Sequence, residues 1–295
     1  MRITAAMVKD LREKTAAGMM DCKKALTECD GDMEKAVDWL RQKGLSKAAK
    51  KAGRATSEGL VGFELAADGK SGVAVEVKCE TDFVARGDKF QGFVKDMVAH
   101  VAKGEYADSE ALLAAPFVAD ASVTVKEALD GVIATTGENM GLGKFAKMEL
   151  AAGKSGLIGG YLHSNGKLAV LVEMQTGSDA AAASEAFHEV AKNVAMQIAA
   201  ASPLAVSAEG LNPEVVEHER EVYRQKAREE GKPEQIIEKI AEGAVKKFCK
   251  DVCLLDQLYI RDDKMTISDL IKGAAKTIGE PITVVRFVRI QLGAE

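Results

Sequence analysis

Apolar residues change their spacing along the stretch from residue 59 to residue 101. Val73-Ala74-Val75-Glu76-Val77 reads as a strand, whereas Phe90, Phe93, Val94, Met97 and Val101 recur at helical spacing. A second strand over residues 59–65 meets residues 72–77 through Ala67-Asp68-Gly69-Lys70, and Asp-Gly between such runs predicts a hairpin. Past a polar stretch over residues 104–122 come a helix over 125–135, then Gly137, then a strand ending at Leu150.

Much of this pattern occurs twice. Gly59-Leu60-Val61-Gly62 reads onto Gly156-Leu157-Ile158-Gly159, a shift of 97 positions. The same shift carries Val73, Val75 and Glu76 onto Val170, Val172 and Glu173, and Phe90, Phe93, Met97 and Val101 onto Phe187, Val190, Val194 and Ile198. A shift of 142 relates the later part: Thr124, Gly137 and Glu138 fall on Thr266, Gly279 and Glu280, and Lys144-Phe145-Ala146-Lys147 falls on Arg286-Phe287-Val288-Arg289. The core is therefore expected to be a duplicated strand, strand, helix, helix, strand unit. Each copy forms a small antiparallel sheet covered on one face, an α+β arrangement.

At one turn the copies disagree, because Thr81-Asp82-Phe83 falls on Ser178-Asp179-Ala180. The Asp is kept, as expected of a residue that caps the following helix. The Phe is not. Phe83 either covers a local apolar gap or serves something outside the fold, and the repeat comparison argues for the second.

The widening of the shift from 97 to 142 locates an insertion between the helices of copy two. Val215, Val216, Val222, Tyr223 and Ala227 form a thin stripe on one charged helix, Gly231-Lys232-Pro233 breaks it, and Ile236, Ile237, Ile240, Ala244 and Phe248 line a second. This reads as an antiparallel coiled-coil hairpin, an arm that touches a partner or a second copy of the protein. Residues 1–44 read as three short helices: Met7, Val8 and Leu11 line the first, which stops near Thr15-Ala16-Ala17-Gly18. Cys22, Ala25 and Leu26 line a second starting at Asp21, and Ala36, Val37, Trp39 and Leu40 a third capped by Asp32. Met19 and Met20 are expected on a loop, where flexible thioethers suit an adaptable contact surface unless Met20 packs inward. Lys47, Lys50, Lys51 and Arg54 make the next stretch basic, a solvated linker or a helix end. The expected divisions are residues 1–54, 55–150 and 151–295, with the hairpin at 212–248.

Composition narrows the chemistry. The 295 residues are 47% hydrophobic with no apolar run near the length of a membrane span, and Met1-Arg2-Ile3-Thr4 leads straight into an amphipathic pattern rather than a signal. A cytoplasmic protein is expected, with five scattered, reduced cysteines. A net charge of −5 argues against direct nucleic-acid binding. Cys249 and Cys253 stand four apart without further ligands nearby, so neither a metal nor another cofactor is expected. Gly141-Leu142-Gly143-Lys144 lacks P-loop spacing, and the glycines from 156 to 160 open a strand rather than a dinucleotide fingerprint. His163, at a hairpin tip beside Asn165-Gly166, is either solvated or functional.

Two stretches, Thr15-Ala-Ala-Gly-Met-Met-Asp-Cys-Lys-Lys-Ala-Leu26 and Thr81-Asp-Phe-Val-Ala-Arg86, resemble the signatures of the bacterial elongation factor Ts family, and the similarity covers nearly the whole chain. The resemblance implies an N-terminal domain similar to ubiquitin-associated domains. It also implies a guanine-nucleotide exchange factor, active in protein biosynthesis on the GTPase elongation factor Tu and making or breaking no bond itself. Thr81, Asp82, Phe83 and Val84 match the segment that disturbs magnesium in the partner. Arg12, Met19, Met20 and Lys23 match contacts to the nucleotide domain, and Thr136, Gly137 and His163 match further core contacts, although the family pattern has Ile at the position of Thr136. Ile260 matches a hydrophobic contact loosely, and Arg261 departs from it. Some members continue past the point corresponding to Glu295 into a helical module, whose contacts are expected to be absent. A homo-oligomer or a two-plus-two complex with the GTPase stays open. The alternative function is that of a non-catalytic adaptor working through the helical domain and the arm.

Overall fold

The computed structural model describes residues 3–15 and 17–294, with the side chains of residues 45–47 also left undescribed. Met1 and Arg2, Ala16 in the stop signal, Glu295 and the Lys47 side chain thus lie outside the described residues. Three helices come first: α1 (Ala5–Thr15), α2 (Met19–Glu28) and α3 (Met33–Lys51). Val8, Leu11, Cys22, Ala25, Leu26 and Ala36 form their shared core, with Met7, Val37, Trp39 and Leu40 partly buried against it. Asp32 caps α3 by accepting from the N–H groups of Glu34 and Lys35, each at 3.1 Å.

Two expectations need adjustment here. α2 begins at Met19 with Gly18 as N-cap, not at Asp21, so both methionines stand on the first helical turn rather than on a loop. Met favours helix, and Asp21 then falls in the first turn, where a carboxylate suits the helix dipole. The basic stretch is a helix end: α3 runs on to Lys51, and Ala48 within it is buried in the next hydrophobic core.

The chain then runs through β1 (Glu58–Leu65), β2 (Ser71–Cys79), α4 (Asp82–Ala85), α5 (Asp88–Lys103), α6 (Ser109–Ala114), β3 (Pro116–Phe117), β4 (Asp120–Thr124), α7 (Val125–Thr136) and β5 (Met140–Glu149). It continues through β6 (Ser155–Leu162), β7 (Leu168–Thr176), α8 (Asp179–Ala182), α9 (Glu185–Ala201), α10 (Pro213–Glu229), α11 (Glu234–Val252), β8 (Leu258–Tyr259), β9 (Asp262–Thr266), α12 (Ile267–Ile278) and β10 (Ile282–Gln291). The sheets order as β1-β2-β5 and β10-β7-β6, with β6 and β7 antiparallel from Ser155 opposite Thr176 to Leu162 opposite Ala169. The fold is α+β.

Two compact units divide the chain. One holds residues up to Phe63, Val73–Ala146 and those from Ile290 on; the other holds Glu64–Gly72 and Lys147–Arg289. In the first, Val73, Val75 and Val77 pack with Phe90, Phe93, Met97, Leu129 and Ile133. In the second, Val170, Val172 and Met174 pack with Phe187, Val194, Ile198 and Ile271. The expectation of sheets covered on one face fails at their central strands, because the intervening Ala74 and Glu76 of β2, and Ala169, Leu171 and Glu173 of β7, are buried as well.

The two buried glutamates of these strands are each paired within their own compact unit. Glu76 accepts from the N–H of Lys144 at 3.1 Å and of Gly293 at 2.9 Å. Glu173 accepts from the N–H of Ala151 at 3.2 Å and from Arg286 at 3.4 Å. Ala151 and Gly293 are themselves 142 positions apart, so each donor lies just past the last strand of the other repeat.

The polar stretch over 104–122 contains α6 and a short hairpin, β3–β4, that its pattern does not reveal. Copy two has the same hairpin in the same register: Pro116 opposite Thr124 and Phe117 opposite Asp120 recur as Leu258 opposite Thr266 and Tyr259 opposite Asp262. In the α10–α11 pair, Arg220, Arg224 and Arg228 reach across to Glu242, Glu238 and Glu234 at 3.0, 2.7 and 3.5 Å. The seam on α11 follows a four-residue spacing, so Ile237, Ala241 and Val245 are buried while Ile236 and Ile240, expected in the seam, are exposed.

Candidate functional site

The turn after β2 is built from its backbone outward. Thr81 is extended, and its hydroxyl accepts from the Val84 N–H at 3.3 Å, making Thr81 the N-cap of the one-turn helix α4. Asp82 is therefore not the cap that the repeat comparison suggested. It is already helical and pairs with Arg86 at 2.9 Å on the surface. Underneath, the Cys79 thiol donates to the Thr81 carbonyl at 3.1 Å, and burial, assisted by the Glu138 charge, pushes that thiol up to about 11. Ala85 is buried and Val84 packs against the same core. Phe83, between these anchors, is 84% exposed.

A second corner holds this turn. Gly137 ends α7 with φ of 83°, a left-handed conformation that glycine adopts without steric cost, and its N–H donates to the Ile133 carbonyl at 2.9 Å. The Thr136 hydroxyl donates to the Val132 carbonyl at 2.9 Å. The next residue, Glu138, accepts three hydrogen bonds: from the Thr81 hydroxyl at 2.6 Å, the Thr81 N–H at 3.0 Å and the Glu80 N–H at 3.2 Å. Glu80 in turn accepts from the Asn139 N–H at 2.7 Å and pairs with Arg54 at 3.5 Å. Thus Thr81–Val84, Thr136, Gly137 and the end of α3 converge on one place.

The remaining expected residues stand elsewhere. Arg12 and Lys23 are exposed on α1 and α2, as are Met19 and Met20, the latter 74% exposed rather than packed inward. His163 and Ile260 belong to the other compact unit. The His163 ring sits 2.9 Å from the Tyr161 hydroxyl. Ile260 is exposed at the tip of β8–β9, its N–H held at 2.9 Å by the buried Gln197. Exposed Leu258 on the same hairpin was not anticipated, because a two-residue strand leaves no periodic signal.

Copy two repeats the turn without the aromatic. Ser178 caps α8, accepting from the Ala181 N–H at 3.2 Å, and its hydroxyl donates to Glu280 at 2.8 Å. Gly279 is left-handed like Gly137. Ala180 stands where Phe83 does. Among the described residues no three His, Cys, Asp or Glu side chains are grouped to hold a metal ion, and no helix is long and apolar enough to cross a membrane.

Residues 80–294 match the family model described as Elongation factor TS. The whole chain aligns at 57% identity with the whole of the elongation factor Ts of Lawsonia intracellularis. It is 59% identical over its full length to that of Nitratidesulfovibrio vulgaris strain DP4, covering 97% of the relative, and 48% identical over 291 residues to that of Clostridium novyi, covering 93%. The chain belongs to the elongation factor Ts family. The family match opens at Glu80, so it takes in the Phe83 turn, the Gly137 corner and the α10–α11 hairpin but starts after α1–α3.

Proposed function

We propose that this chain is a cytoplasmic guanine-nucleotide exchange factor, binding elongation factor Tu and promoting GDP release so that GTP can rebind. The reading rests on Phe83. A large aromatic that is 84% exposed on a turn fixed at both ends has no work to do in its own fold, and the matching turn of copy two keeps its architecture with Ala180. Burying such a side chain in a partner contributes roughly 1.5–3 kcal/mol.

A GTPase holds GDP largely through phosphate and magnesium contacts, so a wedge of Thr81, Asp82, Phe83 and Val84 that distorts that cradle weakens GDP without catalytic groups. Exchange is then a coupling between two ligands, and GDP weakens this protein by the same factor. Thr136 and Gly137 flank the wedge. Arg12, Met19, Met20 and Lys23 supply a second contact from a ubiquitin-associated-like N-terminal domain, and His163 and Ile260 a third from the second core repeat, which carries the coiled-coil arm. The test is stopped-flow release of labelled GDP from elongation factor Tu with wild type and Phe83→Ala. Release slowed about tenfold, equivalent to about 1.4 kcal/mol, with an unchanged melting temperature is the expected result. Wild-type release by the variant would leave the adaptor reading.

A further inference from the structure

We propose that Glu138 is a positioning residue for nucleotide exchange, its carboxylate fixing the backbone of residues 80–84 so that Phe83 is presented in one orientation. The proposal rests on the exchange reading above. A side chain as exposed as Phe83 has little packing of its own to orient it. Its direction is therefore set by the turn beneath it.

The hydrogen-bond pattern identifies what sets the turn. The Thr81 hydroxyl has one proton, and it goes to Glu138 at 2.6 Å, which leaves a lone pair facing the Val84 N–H. The same carboxylate also takes the N–H groups of Glu80 and Thr81, so one acidic group fixes the hydroxyl rotor and two consecutive peptides. Such charge-assisted bonds are shorter and stronger than neutral ones. Glu138 is itself held from behind, following the left-handed Gly137 whose carbonyl accepts from Lys51. An ordering runs from this corner through Glu138 and Thr81 to the residue that enters the partner.

Copy two supplies an internal control. Glu280 accepts from the Ser178 hydroxyl at 2.8 Å, the counterpart of one of the three bonds to Glu138, and the turn it holds carries Ala180 in place of Phe83. If the clamp served only the fold, neither glutamate would change GDP release beyond what its loss of stability brings.

The experiment compares Glu138→Gln and Glu280→Gln in the full chain, each alone and with Phe83→Ala, by melting temperature and by GDP release from elongation factor Tu across factor concentration. Both single variants are expected to melt lower, Glu138→Gln by more because its carboxylate accepts three hydrogen bonds and that of Glu280 one. Only Glu138→Gln should lower the maximal release rate, by about tenfold, the factor set by loss of one hydrogen bond to a charged group, with little change in the half-saturating concentration. In the Phe83→Ala background Glu138→Gln should slow release no further. Equal slowing by both glutamate variants, undiminished slowing by Glu138→Gln without Phe83, or no slowing at all would overturn the assignment. Should Glu138→Gln fail to fold, Thr81→Val removes the 2.6 Å bond while leaving both peptide N–H bonds, and wild-type maximal release by that variant would likewise overturn it. Phe83→Ala alone reports on the exchange reading, so the two failures are separable.

Discussion

The Lys51 ammonium donates to the Gly137 carbonyl at 2.5 Å, so the helix that starts in the N-terminal bundle ends on the corner that carries Glu138. Asn139 strengthens the junction by donating to the Arg54 carbonyl at 2.8 Å. Deleting residues 1–54 therefore removes buried Ala48 and these bonds along with the bundle. The truncated chain is expected to melt measurably below the full chain and to release GDP more slowly. Superimposable melting curves by circular dichroism would refute the docking.

Asp82→Ala should separate surface chemistry from stability. Because Thr81 is the cap and the Asp82–Arg86 pair is exposed, the substitution is expected to cost less than about 1 kcal/mol. Thr81→Ala loses the cap and the hydroxyl bond to Glu138 together and should cost more, roughly 2–4 kcal/mol. Urea denaturation of the two variants reads the difference.

His100 makes stability depend on pH. Its ring is buried, stacked on Tyr106 at 5.0 Å, and its Nδ1 accepts from the Val118 N–H at 3.2 Å, so the neutral ring is the form that fits. Burial lowers its pKa. The unfolded chain then takes up a proton that the folded chain refuses. This contribution is complete above about 6.5 and is lost as pH falls below it toward the folded value. Melting temperature should fall more steeply below pH 6.5 in wild type than in His100→Gln, and parallel profiles would contradict the assignment.

In the α10–α11 hairpin, Ile237→Ala should cost about 2–5 kcal/mol of local stability, whereas Ile236→Ala should stay within about 0.5 kcal/mol. Hydrogen exchange of the α11 amides distinguishes the two.

The duplicated core was legible because backbone sterics repeat with it. A Cβ on Gly59 would lie 2.1 Å from the Val77 carbonyl oxygen, and one on Gly156 2.1 Å from that of Met174, so both positions keep glycine and reveal the shift. Phe83 was legible for the opposite reason, since it breaks the repeat. The grip of Glu138 on Thr81 was not, because a polar contact across 57 residues has no period. The start of α2 was hidden by a cap, Gly18, that makes no side-chain hydrogen bond. In α11 three isoleucines straddle two faces, and the buried one is marked by the four-residue spacing of Ile237, Ala241 and Val245.

The bond from Gly293 to Glu76 spans 217 residues of sequence. At ribosomal speeds of about 5–20 residues per second, about 10–40 s separate the making of the two ends. Glu173 has one donor, Ala151, made before it and a second, Arg286, made 113 residues after it. Both buried glutamates thus wait for the end of the chain, and the repeat made first stays without its full set of partners until translation is all but finished.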